Sequence, residues 1–290
     1  MFRPMRPRRP SQTASFVALT RALAHDGWTT VPGFVDPFAR DLLPPGWAFV
    51  YRLLSRRIER ARPAQRDKII RHLDVVPLRV AAVDTALQSA LTSGCRQVVL
   101  LGAGFDTRAF RLACLAGTTV YEVDHPATQA HKRRKVAALS PVAASVAFVA
   151  VDFERDSLAA NLGAAGFRPS EPTVWVWEGV VMYLTDEAVG RTLREIARGS
   201  LSGSMLIVNY HEPHSAPGGR EGLFRRVLLP LWGEPQIGQR TPDAMQADVR
   251  AAGFEVVSDT RPSEWALALG AKEPAGEFAT FMRLLVARRP

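Results

Sequence analysis

Two cysteines, four lysines and no apolar run long enough to cross a bilayer are the scarcities that first narrow this chain of 290 residues. Cys95 and Cys114 have no partners at a metal-ligand spacing, so neither a zinc site nor a disulfide framework is expected, and thiols in a reducing compartment are. A membrane-spanning helix needs roughly 18 consecutive apolar residues, and the opening MFRPMRPRRP lacks the apolar stretch of a signal peptide. The expectation is a cytoplasmic protein with no membrane partner. No internal repeat or long low-complexity tract is present.

The net charge of +9 suggests a polyanion until its source is traced. Arg3, Arg6, Arg8 and Arg9 crowd a Pro-rich tail, residues 1–10, whose composition is that of a disordered segment. The remaining charge is scattered, and arginine dominance beside abundant alanine reads as compositional drift. Nucleic acid is not an expected partner. A mild positive field suits a small acidic molecule.

What the chain does have is 47% hydrophobic residues, enough for a substantial core. From about residue 97, short runs rich in Val, Ile and aromatics alternate with helix-like segments, which predicts a largely parallel sheet covered on both faces. Strands are expected at 97–102, 118–124, 146–151, 173–178, 204–210, 254–259 and 279–287. Thr185 followed by Asp186 and Glu187 reads as a helix start, and Thr241-Pro242-Asp243 as another. Residues 11–92 read as a helical N-terminal addition, with helices near 12–25, 38–60 and 64–92, leaving 93–290 as the catalytic domain. Residues 211–240, rich in Pro and Gly, interrupt the strand-helix rhythm after the fifth strand and are expected to form a lid insertion.

The first strand runs into Gly102-Ala103-Gly104-Phe105-Asp106-Thr107, a turn whose glycines let backbone approach a ligand ahead of a helix N-terminus. The dinucleotide fingerprint wants a third Gly or Ala where Thr107 stands, so the turn alone decides little. Asp124, about twenty residues on at the end of the second strand, can accept from both hydroxyls of an adenosine ribose, with His125 beside it. Asp152-Phe153 ends the third strand, where an acid and an aromatic ring suit an adenine base. Glu178 ends the fourth, at the switch point of a doubly wound sheet, and can hold a cationic amine.

Together LGAGFDTRAFRL (101–112), YEVDHPATQAHKRRKV (121–136), VAVDFERD (149–156) and WEGVVMYLTDEAV (177–189) resemble the motifs of the leucine carboxyl methyltransferase family. The resemblance is closest to its bacterial branch of polyketide and small-molecule O-methyltransferases. It implies a class I methyltransferase, Rossmann-like seven-stranded sheet with S-adenosylmethionine as cofactor and S-adenosylhomocysteine as product. It implies cofactor binding by Gly102, Gly104, Asp124, Asp152 and Glu178, with Arg79 meeting the cofactor carboxylate. The eukaryotic carboxyl-methylating members carry a second arginine five residues before Arg79. That position here is Asp74, so their protein substrate is not carried over.

The expected acceptor is a small natural product bearing a carboxylate or hydroxyl. A carboxylate is already ionised near neutral pH; a phenol or alcohol wants a base, for which His211 and Tyr183 are the candidates. His211 and His214 lack a third ligand, so no metal is expected. Tyr183, Phe16, Phe34, Trp47 and Trp232 are candidates for an acceptor pocket, and His131 to Lys135 for a solvated basic helix face. The alternatives are an NAD-dependent oxidoreductase, disfavoured by Thr107 and by the lack of a Tyr-x-x-x-Lys pair, and a catalytically silent methyltransferase-like binding protein.

Overall fold

The computed structural model describes residues 11–213 and 236–290. The basic tail, most of the 211–240 insertion, His214 and Trp232 lie outside those residues. Seven strands form one sheet: β1 (Gln97–Leu101), β2 (Thr119–Asp124), β3 (Ser145–Ala150), β4 (Thr173–Trp177), β5 (Met205–His211), β6 (Glu255–Thr260) and β7 (Met282–Arg288). Their order is β3-β2-β1-β4-β5-β7-β6, with β7 antiparallel to both neighbours and β1 to β5 parallel. The expected mostly parallel seven-stranded sheet is present. The seventh strand begins later than its apolar pattern suggests, because residues 278–281 make a single helical turn first.

Both faces of the sheet are dry at its central strands, which is why β1 and β4 read as continuous apolar runs. Val98, Leu100, Val174 and Val176 point into one core, while Val99, Leu101, Trp175 and Trp177 point into another. The period-two alternation of side chains thus divides a single apolar stretch between two layers.

Helices α1 (Gln12–His25), α2 (Pro45–Arg60), α3 (Pro63–Leu73) and α4 (Val75–Leu91) precede the sheet. α5 (Arg108–Arg111), α6 (Pro126–Val136), α7 (Leu158–Ala164), α8 (Asp186–Arg198), α9 (Pro242–Ala251), α10 (Pro262–Leu269) and α11 (Phe278–Phe281) follow. The helix expected over 64–92 is two helices. Pro77 has no N–H to return to Leu73, so the ladder restarts at Asp74. The helix expected over 38–60 starts only at Pro45, the second residue of the double proline, with Pro44 as its N-cap. Thr185 and Thr241 cap α8 and α9 as read from sequence, accepting from the N–H groups of Ala188 and Ala244 at 3.2 Å.

α4 is part of the sandwich rather than a peripheral addition: Leu78, Val83 and Leu87 are fully buried in the core that Val98 and Val176 share. Among the described residues no helix is long and apolar enough to cross a membrane.

Candidate active site

The carboxyl ends of β1 to β4 open onto a cavity of about 700 Å³. Its floor is the turn after β1. Gly102 and Gly104 have φ of +69° and +48°, left-handed values that disfavour any side chain. A Cβ on Gly102 would lie 2.0 Å from Val180 Cγ2, and one on Gly104 would lie 3.2 Å from Ala14 Cβ. The glycines therefore admit the β4–α8 loop and α1 as well as leaving backbone open to a ligand.

Three strand-end acids line this cavity, with Arg79, Ala103, His125 and Phe153. Asp124 accepts from the backbone N–H of Gly104 through Oδ2 and from that of His125 through Oδ1, at 2.5 Å for the latter. Burial raises its carboxyl to about 6, although these two amides favour the charged form. His125 is the N-cap of α6, its Nδ1 accepting from Ala127 N at 3.3 Å. Asp152 opens the turn after β3, accepting from Glu154 N at 3.1 Å.

Glu178 is clasped from two sides. Arg79 Nε donates to Oε1 at 2.8 Å, and Arg108 Nη1 stands 2.8 Å from Oε2. Burial alone would lift its carboxyl; Arg108 and Arg79 outweigh burial and hold it below the usual glutamate range. Arg108 also binds Asp106 and Asp84, each at 2.5 Å. Asp84 continues to Arg111 at 2.7 Å, Arg111 to Asp36 at 3.8 Å, and Asp36 to Arg21 of α1 at 3.0 Å. Four arginines and four carboxylates thus form one connected, charge-balanced network running from the fourth strand to the first helix. Arg108, Lys132 and Arg21 overcome the burial that would raise the carboxyl of Asp106 and take it down to about 2.

Thr107 explains itself within this network. Its hydroxyl donates to Asp36 Oδ2 at 2.8 Å and accepts from Arg21 and Arg111, at 3.3 and 3.2 Å. The residue that spoils the dinucleotide fingerprint ties α1 and the loop after it to the floor of the cleft. Asp74 accepts from the hydroxyls of Thr29 and Thr30 at 2.5 and 2.7 Å.

All nine residues named as cofactor-binding from sequence line the cavity, as does Tyr183. His211 does not. It is the last residue of β5, 2% exposed, with its ring edge-on to Phe281 at 5.0 Å. Phe16 and Trp47 pack edge-to-face on each other at 6.4 Å in the helical core, and Phe34 faces a separate cavity of about 300 Å³. These three do not line the main cavity. The basic stretch of α6 is not wholly solvated either: Lys132 is 1% exposed and paired with Glu122 of β2, whose carbonyl also accepts from Gln129 of α6 at 3.1 Å. Arg21, Arg108 and Asp106 also line the cavity without having been named as site residues: Asp106 and Arg108 fall inside the 101–112 motif, whereas Arg21 had no signal beyond its charge.

The donor set fits an S-adenosyl nucleoside with an amino-acid end. Asp124 offers a carboxylate beside an open glycine turn, and Glu178 an ionised one at the switch point. Arg79 is 5% exposed, yet only its Nε is hydrogen-bonded among the described residues, which leaves its terminal nitrogens for an anion.

Comparison with known proteins agrees. Residues 14–197 match the family described as Leucine carboxyl methyltransferase. A protein of Mycolicibacterium paratuberculosis, provisionally named an S-adenosyl-L-methionine-dependent methyltransferase, is 38% identical over 202 residues, 69% of this chain. The match spans 66% of that relative, about two thirds of its length. One of the same provisional name from Mycobacterium marinum is 37% identical over 222 residues, 76% of this chain and 72% of the relative. Among solved structures, a DUF574 family protein from Streptomyces avermitilis has a TM-score of 0.59 at 17% identity, covering 97% of this chain and 98% of that one. A protein from Thermobifida fusca, provisionally described as a methyltransferase, reaches 0.57 at 17% identity, covering 97% and 95%. At such identity the likeness is one of fold, and the fold is the class I methyltransferase, Rossmann-like one.

Proposed function

The chain belongs to the leucine carboxyl methyltransferase family, and on that premise we propose that it transfers a methyl group from S-adenosylmethionine to a carboxylate or hydroxyl oxygen of a small natural-product-like acceptor. Family membership favours this cofactor over the nicotinamide alternative. When bound, the cofactor supplies an electrophilic methyl group. Asp124 would hold the ribose, Asp152 and Phe153 the adenine, Arg79 the carboxylate and Glu178 the amine.

The observation that carries the reading is the convergence of these residues, from three strand ends and α4, on one cavity with the glycine turn after β1. Its volume of about 700 Å³ lies within the roughly 300–1,000 Å³ usual for small-molecule sites. The protein's share of an in-line displacement is alignment and dehydration. Tyr183, from the 3₁₀ turn Val181–Tyr183, stands on the cavity wall as the acceptor-side group that would orient or deprotonate a hydroxyl. His211, buried at the end of β5 and not on the cavity wall, would serve only indirectly.

The test is incubation with methyl-labelled S-adenosylmethionine and a panel of aromatic carboxylic acids, phenols and amines, with products located by mass spectrometry and NMR. Label in a methyl ester or methyl ether supports the proposal. Label only on nitrogen or carbon, or no turnover despite cofactor binding, overturns it.

A further inference from the structure

Two arginines hold Glu178, and their commitments differ. Arg108 engages every nitrogen of its guanidinium: Nε donates to Asp84 Oδ1 and Nη1 to Asp106 Oδ2, each at 2.5 Å, Nη1 stands 2.8 Å from Glu178 Oε2, and Nη2 donates to Val80 O at 3.4 Å. Its partners come from α4, from the turn after β1 and from the end of β4. Arg79 reaches Glu178 through Nε alone. Both guanidinium groups are more than nine-tenths buried, at 6% and 2% side-chain exposure for Arg79 and Arg108, and both face the cavity.

A carboxylate buried without a cation takes up a proton or turns away. A residue that must accept from a cationic amine needs a permanent partner on its far side, one that will not leave when the ligand arrives. A guanidinium fixed by three carboxylates is such a partner, because its planar fork is over-determined. A guanidinium attached by one bond is free to turn towards an incoming anion.

We propose that Arg108 is a positioning residue: it keeps Glu178 ionised and aimed into the cavity for the cofactor's amine, while Arg79 is the arm that exchanges partners. The proposal rests on the methyltransferase reading of the site and concerns only the amino-acid end of the cofactor. The nucleoside end, held by Asp124 and Asp152, is untouched by it.

Two probes separate those ends. S-adenosylhomocysteine carries the amino-acid moiety, and 5′-methylthioadenosine lacks it. By calorimetry, Arg108→Gln is expected to weaken S-adenosylhomocysteine at least tenfold while leaving methylthioadenosine within twofold. Arg108→Lys, which keeps the charge but not the fork, falls between. In a Glu178→Gln background the Arg108→Gln change is expected to add no further loss. Asp84→Asn loosens Arg108 from outside the main cavity and is the variant to rely on where Arg108→Gln does not fold; its loss is expected to be smaller but equally confined to S-adenosylhomocysteine.

Unchanged S-adenosylhomocysteine affinity in the Arg108 variants, or equal weakening of both probes by them or by Asp84→Asn, would overturn the assignment and leave Arg108 a structural residue. Wild-type protein that binds neither probe overturns the methyltransferase reading itself, a result distinct from either.

Discussion

Gly102 and Val180 share a space with room for only one side chain: a Cβ at position 102 would sit 2.0 Å from Val180 Cγ2, and the backbone there is left-handed, with φ +69°. The first strand's turn and the fourth strand's loop are thereby pressed together at the base of the cleft. Gly102→Ala combines left-handed strain with overpacking and is expected to destabilise the fold by about 2–4 kcal/mol. Val180→Ala in that background should recover part of the loss, a non-additivity that a double-mutant cycle of thermal or urea unfolding reads directly. Simple additivity of the two losses would show that the two sites do not collide.

Asp124 sets a pH dependence on cofactor binding. Ribose hydroxyls donate to the ionised carboxylate, whose folded-state pKa is raised by burial to about 6. Affinity for S-adenosylhomocysteine is expected to be level above about pH 7 and to fall towards tenfold per unit below pH 6. Binding near pH 5.5 should release a proton, seen as an enthalpy that changes with the buffer's ionisation heat. A flat profile from pH 5 to 8 would remove Asp124 from the ribose site.

Glu178 gives the opposite pattern. Arg108 and Arg79 hold it below the ordinary glutamate range, so it stays charged throughout that interval. Glu178→Gln should weaken S-adenosylhomocysteine by about tenfold or more by the same factor at pH 6 and pH 8. A loss that vanished at pH 6 would mean the native carboxyl is neutral there.

Lys132 and Glu122 make a buried pair behind the nucleoside end of the cleft, each 1% exposed. Burial has raised Glu122 to about 7 even with Lys132 beside it. Lys132→Met removes the cation and is expected to destabilise by about 3–5 kcal/mol. The acid's folded pKa lies above its unfolded value, so its protonated form is the one folding favours and stability declines as pH rises through the interval between them. The variant should therefore melt higher at pH 6 than at pH 8, and Glu122→Gln added to it should flatten that difference. Equal melting at both pH values in the single variant would contradict the raised acid.

The legible and illegible parts of this site divide along a physical line. Strands β1 and β4 are dry on both faces, so Val98 to Leu101 and Val174 to Trp177 announce themselves as apolar runs, and an acid at the end of such a run has one place to be. That logic found Asp124, Asp152 and Glu178. It could not find the partners of Glu178, because the same arginine pattern fits a wet helix surface or a buried fork. Arg21 and Thr107 meet across 86 positions of sequence, and nothing local to either predicts the other. Lys132 sits in a basic run that reads as a solvated face, and only its pairing with Glu122, ten positions earlier on β2, turns it inward. The aromatic residues failed for the complementary reason: Phe16 and Trp47 fit a pocket wall as well as a helical core, and the core took them.

Of the seven described strands, the last to be synthesised is an inner one. β7 lies between β5 and β6, so until Met282–Arg288 emerges from the ribosome β6 has no hydrogen-bonding neighbour among the described strands and β5 is an open edge of them. At roughly 5–20 residues per second, the seventy or so residues separating His211 from Met282 take on the order of ten seconds to make. Throughout that interval every strand end that lines the cleft is already available, while the far third of the sheet waits unpaired. Nascent chains stalled just short of Met282 are the form in which edge-to-edge association, and the need for a chaperone, would be greatest.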